Sequence, residues 1–112
     1  MASSPPDPIP PEDLARIRRI SDALFGAKHR LPVAVVIASA RESDDLYAAA
    51  LAEPAGTTEV QAGTELRHFE RAGLLELLAE ESAKGRRGRP PKRYAKRRSA
   101  LWTLASKLAE EE

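Results

Sequence analysis

The stretch GRRGRPPKRYAKRR, residues 85–98, holds eight Lys and Arg side chains and no acid, in a chain whose formal net charge is only +1. With Lys84 just before it, it gathers nine of the eighteen Lys and Arg, and no Asp or Glu occurs between Glu81 and Glu110. Phosphates respond to local potential within about 10 Å at ordinary salt, so the near-neutral total is the wrong quantity to consult. A run this dense, built with Gly and Pro instead of interleaved acids, points to contact with a nucleic acid more than to a merely solvated basic loop. Its candidate contacts are Lys84, Arg86, Arg87, Arg89, Lys92 and Arg93.

Other chemistry finds little to build on. No G-x-S-x-G, phosphate-binding glycine loop or H-E-x-x-H occurs, and the acids are scattered along helical surface positions, so no enzyme is expected. The absence of Cys excludes a disulfide framework and a thiolate metal site. His29, between Lys28 and Arg30, reads as a helix-start or surface residue, far in sequence from His68. Neither metal nor cofactor is expected. The longest apolar run, LPVAVVIASA, is too short to span a bilayer and no basic-plus-apolar leader opens the chain, so the expectation is a soluble, cytoplasmic protein without a membrane partner.

The elements that must position these groups come from 112 residues, enough for one small domain with a modest core. Residues 1–11, MASSPPDPIPP, carry five prolines and read as a disordered or extended arm. From Glu12, Leu14, Ile17, Ile20 and Leu24 recur at helical spacing, predicting an amphipathic helix opened by Pro11 and acids and broken at Gly26. The apolar segment from about Lys28 to Ala40 fits a helix or, through VAVVI, a buried strand; its length, its Ala content and Pro32 in a tolerant first turn favour helix. A short helix from Ala48 to Glu53, a turn at EPAG and a second helix follow, with Thr58 as cap and Gln61 as its capping-box partner. In that second helix Ala62, Leu66 and Phe69 share the inner face, while Gln61, Thr64, Glu65, His68 and Arg71 face elsewhere and Gly73 supplies a left-handed exit. LLELLAEE and KRYAKR flank the basic stretch as two strands of a hairpin, although Leu74, Leu75 and Leu78 also fit a continuing helix. Ser99 caps a last helix striped by Leu101, Leu104, Ala105 and Leu108, with Trp102 beside the stripe. The fold class is mainly α with a small β-hairpin, one domain over residues 12–110.

In this order of elements, residues 24–108 resemble the winged helix-turn-helix transcriptional regulators of the ArsR/MarR/PadR type. ELRHFERAGLL resembles the end of a recognition helix entering the first wing strand, GRRGRPPKRY the Gly-Arg-Pro wing before an aromatic on the returning strand, and LFGAKHRLPVAVVIA the helix that opens many such domains. The resemblance implies a bacterial regulator on double-stranded DNA, associated with the nucleoid. A recognition helix at about 58–72 would lie in the major groove and a basic wing at about 81–93 in the minor groove. Thr57, Thr58, Glu59, Gln61, Thr64, Arg67, His68 and Arg71 then become the facing residues. Gln61 suits adenine, Arg67 suits guanine, and the threonines suit phosphate or a thymine methyl, with Arg67 and Arg71 alternatively on phosphate. Arg87-Gly88-Arg89-Pro90 also resembles the core of an AT-hook, whose arginines enter a narrow A·T-rich groove.

Departures from the pattern are Gly63 inside the recognition helix, Pro54 shortening the helix before it, and Glu59, Glu65 and Glu70 on or near a surface meant for DNA. Two other functions compete: an architectural or recombination-accessory binder of A·T-rich DNA, and a winged-helix adaptor whose basic wing docks an acidic protein. The first and last helices either bury their apolar faces against a second copy, making a homodimer, or close the core of a monomer around Trp102.

Overall fold

A computed structural model describes residues 8–41, 46–78 and 92–110. Its elements are α1 (Pro11–Phe25), α2 (Arg30–Ser39), α3 (Ala48–Ala52), α4 (Glu59–Arg71), β1 (Leu75–Leu77), β2 (Tyr94–Lys96) and α5 (Ala100–Glu110). Helix therefore dominates, with one two-stranded antiparallel hairpin. None of the described helices is long and apolar enough to cross a membrane.

α2 is the centre. Leu31, Pro32, Val33, Ala34, Val36 and Ile37 are all buried, and a helix apolar on nearly every side belongs inside. α1, α3, α4 and α5 all pack against it. Arg30 is its first residue, so Pro32 falls in the first turn, where a missing N–H removes no helical bond. α1 starts on Pro10 and Pro11, carries Glu12 and Asp13 where the helix dipole favours acids, and ends at Gly26 with φ 66°. Its inner face is Ile17 and Ser21, both buried, with Leu14 and Ile20 half-buried. Leu24, expected in the apolar stripe, is exposed: the helical period brings Ser21 and the half-buried Phe25 inward as the stripe drifts past it. Ser21 Oγ accepts the Leu31 N–H at 2.9 Å and donates to the Ala27 carbonyl, pinning the end of α1 to the start of α2.

The front of α1 is fixed to the turn between α3 and α4. Arg18 Nη2 donates to the Gly56 carbonyl at 2.6 Å, and the Ile9 N–H donates to the Pro54 carbonyl at 2.9 Å. Ile9, between the exposed Pro8 and Pro10, is buried and held on the turn, and Pro11 is the first residue of α1; the rest of the Pro-rich arm, residues 1–7, lies outside the described residues. Gly56 has φ 65°, and a Cβ there would run into Leu14 Cδ2. The turn thus needs glycine twice over.

The hairpin pairs Leu75 with Lys96, Glu76 with Ala95 and Leu77 with Tyr94. On the other edge of β2, Tyr94 and Leu46 exchange both backbone hydrogen bonds at 2.8 Å, so the chain between α2 and α3 joins the ladder at one residue. α5 starts as expected, with Ser99 Oγ accepting the Leu101 N–H at 3.1 Å. Of the predicted stripe, Ala105 is buried and Leu101 and Leu108 pack half-buried against the core, with Trp102 buried beside them; Leu104 is exposed, which corrects the stripe at that one residue. Trp102 sits edge-on to Phe69 with ring centroids 5.6 Å apart and donates its indole N–H to the Arg97 carbonyl at 2.7 Å. Arg16 of α1 ties down the other end, donating to the carbonyls of Ala109 at 2.8 Å and Leu108 at 3.4 Å.

Candidate nucleic-acid interface

α4 opens with a complete capping box. The Gln61 N–H donates to Thr58 Oγ1 at 3.1 Å and the Thr58 N–H donates to Gln61 Oε1 at 3.0 Å. Ala62, Glu65, Leu66 and Phe69 face the core. Directly opposite, at i, i+4, i+7 and i+11, stand Val60, Thr64, Arg67 and Arg71. Thr64 Oγ1 donates back to the Val60 carbonyl at 3.0 Å and accepts from Arg67 Nη2 at 3.3 Å, so the outer face is ordered by its own side chains. His68 and Arg71 are exposed in the last turn, where the helix dipole favours cations. Gly63 turns toward α3, where a Cβ would meet the Ala48 Cβ at 3.6 Å, an ordinary contact; no close approach requires glycine there.

The predicted facing residues do not all share that face. Thr57 is half-buried and reaches back to the Ala52 carbonyl of α3 at 3.4 Å. Thr58 and Gln61 stand at the exposed entrance of the helix, but the Gln61 carbonyl is already taken by the cap. A bidentate pair with adenine needs both ends of the amide and would require releasing it. Glu65, expected on the surface, is buried and accepts from Arg30 Nε of α2 at 2.8 Å, so its charge is balanced inside and absent from the outer face. Glu59 is exposed in the first turn. Glu70 is half-buried near Tyr94, whose hydroxyl is pushed above its ordinary pKa by burial and then by the Glu70 charge, with Arg67 opposing.

The basic stretch is divided by the fold. Lys84, Arg86, Arg87 and Arg89 lie outside the described residues. Lys92 and Arg93 are exposed at the start of β2, with the Arg93 guanidinium 5.5 Å from the Tyr47 ring centroid, a cation–π distance. Lys96 is engaged within the fold. Its Nζ donates to the carbonyls of Ala40 at 2.6 Å, Ile37 at 3.3 Å and Ala38 at 3.4 Å, capping the end of α2. Arg97 and Arg98 line an open cleft of about 340 Å³ between the end of α2 and the start of α5.

The exposure of Val60 and the burial of a His29 ring nitrogen are not anticipated by the sequence reading. Val60 is 78% exposed on the outer face, and its only signal in the sequence is its place opposite Ala62, Leu66 and Phe69. His29 stands at the start of α2, as its sequence position suggests, but is half-buried, with Nδ1 buried and without a hydrogen-bond partner among the described residues. Burial and then Arg18 hold its pKa below 6.5, Lys28 adding to the effect and Glu65 opposing it. No protein family, curated protein or solved structure matches this chain.

Proposed function

We propose that this chain is a winged helix-turn-helix protein that binds duplex DNA and acts as a transcriptional regulator by occupying its site. α4 would enter the major groove and the basic wing at about 81–93 would follow the adjacent minor groove. One observation carries the reading: the solvent face of α4 presents Thr64, Arg67 and Arg71, and α4 leads directly into a hairpin whose connection holds the basic Gly/Pro run. The bridge from Leu46 to Tyr94 is compatible with it, since it adds one residue from the segment between α2 and α3 to the edge of the hairpin. A homodimer through α1 and α5 would use the exposed Leu24 and Leu104, because Trp102 and Ala105 are already in the core.

Selection of bound sites from random duplex DNA at physiological salt tests this, with the intact protein and Arg87→Ala/Arg89→Ala in parallel. A definite word, palindromic with half-sites about one helical turn apart, is the expected result. A broad A·T-rich preference that disappears in the double variant would replace it with the architectural reading, which the engagement of Gln61 in its cap favours. Absence of any enrichment would overturn DNA binding and turn the search to a protein or RNA partner.

A further inference from the structure

We infer that Val60 and Thr64 together form a methyl-reading patch that contacts the 5-methyl group of a thymine in the major groove, with Arg67 held beside it to pair with a guanine. This rests on the DNA-binding reading of α4 and adds to it the residues that discriminate one base from another.

Val60 is the second residue of α4, lies opposite the core and is 78% exposed, so no packing within the described residues accounts for an apolar side chain there. A single exposed valine, with Glu59 and Gln61 beside it in sequence and Thr64 one turn on, is too small a patch to hold a protein partner by hydrophobic burial. Thr64 has its hydroxyl proton committed to the Val60 carbonyl and accepts from Arg67, so its methyl group is the part it has left to offer an apolar ligand. Two aliphatic side chains one turn apart suit a thymine methyl. Against them the amino group of cytosine would lose water without gaining an acceptor. Arg67 uses one N–H on Thr64, and its remaining donors suffice for O6 and N7 of a guanine. Seven residues of helix separate Val60 from Arg67, about 10.5 Å at 1.5 Å per residue. That matches roughly three base steps at 3.4 Å, so the thymine and the guanine should lie within about three base pairs of each other.

The test takes a selected duplex and replaces its thymines one at a time by deoxyuridine, which removes the methyl group and keeps the pairing. Affinities are measured by fluorescence anisotropy for the full-length protein, Val60→Ala and Thr64→Ser, the last keeping the hydroxyl while removing the methyl. The expected result is one thymine per half-site whose replacement weakens the parent about three- to tenfold, the scale of one or two buried methyl groups. The two variants should bind the thymine duplex correspondingly less tightly, lose the penalty for uracil and keep the parent's salt dependence. Tight duplex binding with no uracil-sensitive position, or with the full penalty retained in Val60→Ala, would overturn the inference and leave DNA binding standing. Failure of the parent to bind any duplex would remove both.

Discussion

Two glycines make opposite demands on the backbone. Gly63 sits inside α4 with room for a methyl against Ala48, so Gly63→Ala should stabilise the protein by roughly 0.5–1 kcal/mol, visible as a higher midpoint in thermal denaturation. Gly56→Ala should lower the same midpoint, because φ is 65° there and the added carbon meets Leu14. Sequence alone marks Gly63 as an anomaly and does not separate these cases, since both residues read simply as glycine near a turn or helix. Thr58 and Gln61, by contrast, are legible down to their partners, because the capping box is a local spacing whose bonds need no tertiary knowledge. The same box makes Gln61→Ala an ambiguous probe of DNA contact: it removes a cap bond along with any base contact. Thr64→Ser leaves the cap intact.

Helix positions and turn signals are readable from period and capping, and the helix faces are less so. Charge alone suggests that Glu65 points outward, although its spacing with Ala62, Leu66 and Phe69 already places it inward; Arg30, thirty-five residues away, is what makes that burial tolerable and is invisible locally. Leu24 and Leu104 read as inward because they are apolar, yet which turn of each helix meets α2 depends on packing that no local spacing contains. The junction of α1 and α2 carries two consequences. Ser21→Ala would leave the buried Leu31 N–H without its acceptor and should cost about 1–3 kcal/mol in urea unfolding. At the same junction His29 has a folded-state pKa below 6.5, so the unfolded chain takes up a proton that the folded chain resists. The stability this contributes is full above pH 6.5 and is lost as pH falls through the folded value. Urea midpoints measured near pH 8 and about pH 5.5 should therefore drop more in the parent than in His29→Gln. Equal drops would assign the acid sensitivity to carboxylates instead.

At the scale of the whole molecule, charge that is continuous in sequence is partitioned in space. Lys96 serves α2, Arg97 and Arg98 belong to the cleft at the start of α5, and Lys92 and Arg93 stay near the opening of the hairpin. If about six cations of α4 and the wing neutralise phosphates, the logarithm of affinity should fall with that of salt at a slope of about −5. The slope should become shallower in Arg87→Ala/Arg89→Ala and stay the same in Lys96→Met, which should instead lower the thermal midpoint by loosening the end of α2. Electrophoretic or anisotropy titrations over a salt series separate these outcomes. The Tyr94 ladder has a mechanical side as well. Tyr94 gives both its backbone bonds to Leu46, while its neighbour Arg93 accepts the Leu78 N–H just past β1, so tension applied at the start of β2 is shared by three segments of chain. One of those segments leads straight into α3, which packs on α4, so a load taken up at the hairpin strands is passed on to α4, and the two grips on a duplex that we propose would act as jaws on one frame.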